Sequence, residues 1–490
     1  GASSAVARNT GWNVLGQMVP ALFAFAAIPV LIGQLGLERF GVLSLVWIIV
    51  GYASLFDFGL GRAMTRSVSA RIAVGDPDGA RASIATAMVY LAGIGALLGT
   101  ALAGSVPWVV ANLPDLSPQL HSEVTSSVLL LALSLPFVLL TTGFAGALGA
   151  FERFKEINLV RMALGVLTFA APMAAAGAWQ RLDAVVGSIV LVRVSTTVAF
   201  AALCAKHCGY KLRPHWPDGR IGRELFATGG WMSVSNVIGP LLSYMDRLVL
   251  ASIVPVKSLP LYTTPHDLLF RTLLVPYALT TALFPRAAGL LPKSEESWSM
   301  LERTVRLVLL MTFPVLLVIV VFAEHGLRLW LGDDVAEGGR DVLRILAVGL
   351  LCNALAQAPA MLIQANGVPR TMALLHLVEL PIFVGVFWTL ASTFGVVGAA
   401  AAASLRLVGD SVAVFALALR PMQSSPRRLL RAAGWTSGCL ALLAGGMFTQ
   451  SVLSCFVYLA VALSSFGMFA WRHLIEPSDR IRLRAAWSAW

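Results

Sequence analysis

The sequence predicts an all-α polytopic membrane protein with about fourteen transmembrane helices, and three observations carry that prediction. Of its 490 residues, 58% are hydrophobic and only 12% charged, where a soluble domain carries roughly 25% charged residues. Apolar runs of ~20 residues, the length needed to cross a hydrocarbon core, recur along the whole chain. The basic residues gather in alternate connections between those runs, the pattern that orients membrane helices.

In chain order, the spans fall near 10–33, 42–61, 84–111, 124–149, 159–178 and 184–205. They continue near 227–254, 261–285, 304–330, 342–366, 371–393, 395–419, 432–449 and 451–471. Residues 10–33 read as a retained helix, because no small-residue cleavage site follows the first apolar run. With the N-terminus cytoplasmic, the inner segments hold most of the 36 Lys and Arg residues. The outer ones hold only Arg39, Arg181, Lys257, Arg328, Arg340 and Arg344. That asymmetry predicts both termini on the cytoplasmic side. It also explains the net charge of +11 as topogenic, so nucleic acid is not an expected partner.

The five cysteines lie in or at the ends of apolar spans and show no secreted disulfide framework. Cys204, His207 and Cys208 cluster at one span end without a zinc-type spacing. There is no Gly-rich phosphate loop, nucleophile elbow or metal cluster in the sequence. Neither an enzyme nor a bound cofactor is expected, and transport would draw on an ion gradient or the membrane potential.

An internal repeat organises the spans. TGWNVLGQMVP near residue 10 resembles GGWMSVSNVIGP near residue 230, and VVGSIVLVR resembles VVGAAAAASLR, bringing Arg193 near Arg406 in the alignment. Residues 1–205 and 226–419 then form two six-helix lobes, joined by a cytoplasmic linker at 206–225. An even span number gives the copies one orientation, so a pseudo-two-fold axis runs along the membrane normal, with the substrate site expected between lobes. Residues 420–490 add two helices and a cytoplasmic tail. Small residues are dense, as in LAGIGALLGTALAG (91–104), which allows close helix approach in lipid.

The candidate site residues are the charges inside spans, since a charge near a bilayer centre costs at least ~2.5–3.5 kcal/mol and usually faces a bundle interior or wet cavity. Arg193 and Arg406 lie about mid-span, too deep to snorkel comfortably. Arg406 either faces an anion or pairs with Asp410 at i+4. Arg271 lies mid-span with Asp267 at i−4, and Asp246 and Arg247 point ~100° apart on their helix. Arg62 lies beyond Asp57 at the end of the second span, where the two either pair or the carboxyl carries a proton. His376 and Glu379 invite the same two readings, and Glu379 with Asp246 could form a sodium site.

These residues carry a family resemblance. Asn9 ahead of the first span, LGLERFG between spans, the DFGLGRAMTR ending of the second, MDR in the seventh and the LFR…P…LFPR course of the eighth resemble bacterial O-antigen and polysaccharide flippases. These belong to the multidrug/oligosaccharidyl-lipid/polysaccharide (MOP) exporter superfamily. The resemblance implies movement of an undecaprenyl-diphosphate-linked oligosaccharide from the cytoplasmic to the periplasmic leaflet of the inner membrane, by alternating access. It implies a diphosphate site among Arg62, Arg193, Arg247, Arg271 and Arg406, since the planar Arg fork suits phosphate. Asp57, Asp246, Asp267, Glu379 and Asp410 are then the ion-coupling or charge-pairing carboxylates. It further implies H+ or Na+ as coupling ion, a glycan polymerase complex as partner, and a lipid-facing groove near the last two spans. A drug or metabolite exporter of the same superfamily and a non-transporting glycan assembly factor are the alternatives.

Overall fold

The computed structural model describes residues 2–113, 116–209, 218–226, 245–288, 294–365, 369–420, 426–475 and 480. Every regular element among them is helical, as the sequence predicts. Ten of these helices are long and apolar enough to cross a membrane, so the chain is a multi-pass membrane protein. Contacts divide it into two compact units, Gly1–Leu259 and Pro260–Trp490. Most of the predicted seventh span, 227–244, lies outside the described residues, as does much of the predicted linker at 210–217.

The first unit runs α1 (Ala2–Ala53), α2 (Leu60–Ala73), α3 (Pro77–Gly104), α4 (Val106–Asn112), α5 (Pro118–Ala150), α6 (Phe154–Trp179) and α7 (Leu182–Cys208). Helix α1 is broken at Gly36, whose φ of 73° and ψ of 167° only glycine adopts easily. The break separates the first two predicted spans. Helix α3 starts on a strong local signal: the Asp76 carboxylate accepts the Gly79 N–H at 2.8 Å and Pro77 occupies the first turn.

Two kinds of contact hold this unit. Gly95 and Gly99 lie one turn apart on the face of α3 against α5, where an added Cβ would stand 2.5 Å from the Pro136 Cα and 2.6 Å from the Ala132 carbonyl oxygen. The dense small residues of 91–104 are therefore a helix-approach surface, worth its van der Waals contact because lipid supplies no hydrophobic drive between helices. At one end of the unit, the Glu-Arg of LGLERFG is a clasp. Arg39 donates to both oxygens of Glu123, at 2.9 and 2.7 Å. Glu123 also accepts the Leu182 N–H that opens α7 at 2.8 Å. Glu38 accepts the Ser117 N–H ahead of α5 at 2.8 Å. The break in α1 is thus tied to the starts of α5 and α7 by two adjacent side chains.

The second unit runs α8 (Leu259–Phe270), α9 (Leu274–Ala288), α10 (Glu295–Val321), α11 (Ala323–Leu331), α12 (Asp333–Ala365), α13 (Pro369–Leu419), α14 (Pro426–Gly446) and α15 (Val452–Phe469). Helix α13 is broken at Gly395, with φ 60° and ψ −137°. Arg406 meets Glu379 across 27 residues, which a straight helix would hold ~40 Å apart. The chain therefore doubles back at Gly395, giving the two predicted spans 371–393 and 395–419. Gly349 of α12 lies so close to the second arm that a Cβ there would stand 2.7 Å from the Ser404 Cα. Helices α14 and α15 dock on the end of α10: the Thr449 hydroxyl and the Cys455 thiol both donate to the Val321 carbonyl, at 3.3 Å each. Buried Arg344 donates to the Thr449 carbonyl at 3.2 Å. Glu324 of α11 is met by Arg340 of α12 at 2.8 Å and by Arg328 of its own helix at 3.0 Å, and the hydrogen bond from Arg340 leads in holding that carboxyl below the usual carboxylate range.

Two outcomes test this account. Gly99→Leu forces α3 off α5 and should cost about 1–3 kcal/mol of stability, read as a lower melting temperature of the detergent-purified protein. An unchanged melting point would refute the close approach. Arg39→Ala leaves the Glu123 carboxylate short of its charged donor and should cost roughly 1.5–3 kcal/mol in the same measurement, whereas Arg181→Ala, at the exposed ion pair with Asp183, should cost little.

Candidate functional site

In the first unit, polar groups converge on a cavity of about 1090 Å³ between the start of α2, the last turns of α5 and the first turns of α6. Its walls carry Asp57, Arg62, Lys155, Asn158 and Arg161. The local sequence explains the opening. Phe58 and Gly59 both take left-handed conformations, with φ of 49° and 67°, and break the chain between Asp57 and α2. The Asp57 carboxylate fills the gap by accepting the N–H of Gly59 at 2.8 Å and of Gly61 at 3.4 Å. Among the described residues it makes no ion pair with Arg62, so of the two sequence readings the local pair is not formed, and both residues face one cavity. Thr65 reaches across to the Gly146 carbonyl at 3.0 Å and fixes α2 against α5.

Arg193 lies midway along α7. Its Nε is buried without a hydrogen-bond acceptor, and among the described residues it pairs with no carboxylate. Asp246 and Arg247 are also in this unit and are buried, 3% and 5% exposed. The Arg247 N–H donates to the Asp246 carboxylate at 2.8 Å.

The second unit gathers its charges where the arms of α13 run side by side. Arg406 Nη1 lies 3.4 Å from Glu379 Oε1, and its guanidinium carbon stands 5.0 Å from the Phe383 ring centre. His376 Nε2 lies 3.7 Å from Asp410 Oδ1. The sequence favoured Asp410 as the partner of Arg406 at i+4, but the hairpin supplies Glu379 across the arms instead. One ligand atom each of His376, Glu379 and Asp410 lie within 4.8 Å of one another. Two carboxylates and an imidazole can share a proton or an oxygen-preferring cation; Arg406 beside them opposes a second positive charge. Tyr277 and Gln357 lie near Asp410 and extend the polar strip.

Arg271 falls in a short turn, Arg271–Leu273, between α8 and α9. It is exposed and has no carboxylate partner among the described residues. Asp267 lies 3.8 Å from His266 Nδ1, and the His266 ring stacks on Phe270 at 4.0 Å. Asp267 and Arg271, four residues apart in the chain, form no ion pair with each other in the structure. A separate groove of about 530 Å³ lies between α10, α12, the second arm of α13 and α14, with an almost wholly apolar lining that includes Trp298, Leu355, Phe415 and Trp435.

The sequence assigned Lys155 and Arg161 only to topology and passed over Asn158 and Tyr277. Lys155, Asn158 and Arg161 recur every three residues at the entry of an apolar helix, a spacing that places polar groups near one face. That was the available signal.

A family model described as "Polysaccharide biosynthesis protein" matches residues 6–290, more than half of the chain. The chain belongs to the polysaccharide biosynthesis protein family. It is 26% identical over 414 residues to a protein of Shigella flexneri named "Putative O-antigen transporter", a match covering 83% of this chain and 96% of the relative. This polysaccharide biosynthesis family member also shares its fold with two solved transporters. One is an inward-facing multidrug resistance MATE family transporter of the MOP superfamily, at TM-score 0.67 and 13% identity, covering 88% of this chain and 99% of that one. The other is the lipid II flippase MurJ in an inward closed conformation, at TM-score 0.66 and 12% identity, covering 91% and 98%. The chain thereby has a fold like that of these two transporters.

The cross-arm pair can be measured. In a double-mutant cycle of Glu379→Gln and Arg406→Gln, the two side chains should couple by about 1–3 kcal/mol in unfolding of the purified protein. Additive single effects would mean that the pair contributes nothing.

Proposed function

We propose that this protein moves a polyprenyl-diphosphate-linked oligosaccharide, of the undecaprenyl class, from the cytoplasmic to the periplasmic leaflet of a bacterial inner membrane. The observation that carries this reading is Arg193, a mid-helix guanidinium with no carboxylate partner among the described residues. A lone cation at that depth is costly unless an anion visits it, and a diphosphate is an anion whose oxygens fit its fork. Family membership and the Shigella relative's printed name support a glycan as cargo.

In this reading, fourteen spans form two six-helix lobes, 1–205 and 226–419, with the last two helices added and both termini cytoplasmic. Arg62, Arg247 and Arg271 add positive charge along the diphosphate's course. Arg406 contributes once Glu379 gives it up. The apolar groove beside α14 suits the polyprenyl tail. Asp57, Asp246, Asp267, Glu379 and Asp410 balance the arginines. His376, Glu379 and Asp410 form the set best arranged to take up the coupling H+ or Na+, as two carboxylates and an imidazole meet there. The site opens alternately to the two leaflets. A glycan polymerase complex downstream is the natural recipient of the cargo.

In vesicles carrying the purified protein and a fluorescent polyprenyl-diphosphate sugar, Arg193→Ala should lower flipping about tenfold or more, and Arg193→Lys should restore part of it. Full activity of a correctly folded Arg193→Ala protein would sink the reading. Transport of cationic dyes in place of the lipid-linked sugar would replace it with drug export.

A further inference from the structure

We propose that the cavity between α2, α5 and α6 is a phosphoryl-anion site, in which Arg62, Lys155 and Arg161 receive a diphosphate against the standing negative charge of Asp57. Four features of the first unit lead there.

The charge balance is the first. Three cations and one carboxylate line the cavity, and among the described residues neither Arg62, Lys155 nor Arg161 pairs with an acid. Arg39, Arg71, Arg181, Arg328, Arg340 and Arg406 each meet a carboxylate, whereas here three cations without one share a single pocket. The second is the occupation of Asp57. Both of its oxygens accept backbone N–H groups of the broken turn, so the carboxylate is held by the chain and leaves the cations unneutralised. The third is the start of α6. This 26-residue helix begins at the cavity wall with no side-chain cap, and Phe154 and Lys155 of its first turn line the space. Orphan N–H groups and the helix dipole both favour an anion at that position. The fourth is size. About 1090 Å³ is at the top of the ~300–1,000 Å³ range of ligand pockets, enough for a diphosphate together with part of a sugar.

Arg161 and Lys155 differ in what they supply. The guanidinium offers a fork to two phosphoryl oxygens, whereas the ammonium is a mobile point charge. Asn158, between them on the same helix, can donate to a bridging or sugar oxygen. The chemistry serves equally for the diphosphate of a lipid-linked sugar and for an anionic phospholipid headgroup. The inference deepens the transport reading and rests on it for the diphosphate as source, but not for the existence of the site.

The test uses the full-length protein in detergent with inorganic pyrophosphate as probe, and native mass spectrometry of retained phosphatidylglycerol as a second arm. Lys155→Gln and Arg161→Gln should each weaken pyrophosphate binding about tenfold, and Asp57→Asn, which removes the opposing charge, should tighten it several-fold. Lys206→Gln, exposed and outside the cavity, is the control and should bind as the parent does. If the phospholipid rather than pyrophosphate depends on Lys155 and Arg161, the site stands with a headgroup as its ligand. If neither probe depends on them, or the Lys206 variant weakens binding equally, the proposal falls. Flipping is read separately in vesicles. A protein that binds pyrophosphate through these residues yet moves no lipid-linked sugar keeps the site and sinks the transport reading, and the reverse result sinks the site alone.

Discussion

A charge placed among apolar helices must be paired, hydrogen-bonded or opened to a polar cavity, because hydrocarbon offers it no solvation. Much of the architecture answers that constraint. In the second unit, the break at Gly395 folds α13 back so that Arg406 meets Glu379 and His376 meets Asp410. In the first, the left-handed pair Phe58–Gly59 opens the chain beside Asp57 and leaves room for a cavity walled by Arg62, Lys155 and Arg161. Glycine performs the same task at both places: it reverses or interrupts a helix where a side chain would be strained.

The two arginines that the sequence alignment sets beside each other have different surroundings. Arg406 is held by a carboxylate and an aromatic face, while Arg193 has no carboxylate partner among the described residues. A paired cation gives rigidity and can be exchanged by an incoming ion. An unpaired one stays available to an anion at the cost of burial. The proposed function has use for both, one to receive a charged lipid head and one to be released.

Around these polar centres the helices are held by contacts suited to lipid. Gly95 and Gly99 let α3 lie against α5, and Gly349 lets α12 lie against the second arm of α13. The Glu38–Arg39 clasp ties the break in α1 to the starts of α5 and α7 through Ser117, Glu123 and Leu182. The LGLERFG stretch, which the sequence offered as a family feature and a lone outer charge, is thus a structural tie.

The sequence by itself determined the class of the molecule, all-α and multi-pass, because hydropathy, charge asymmetry and small-residue spacing are local properties that a bilayer reads directly. It determined where several helices start, since Asp76–Pro77 and Ser451 cap their own chains, and it singled out the span-embedded charges. It did not determine which charges meet. Asp410 is nearer to Arg406 along the helix, yet Glu379 reaches it across the hairpin. Asp57 bonds its own turn rather than Arg62, and Lys155 and Arg161, which looked like loop charges setting topology, face a shared cavity. Those pairings depend on which helix faces which and at what register. That is a property of packing between segments far apart in the chain, and only the tertiary structure decided it.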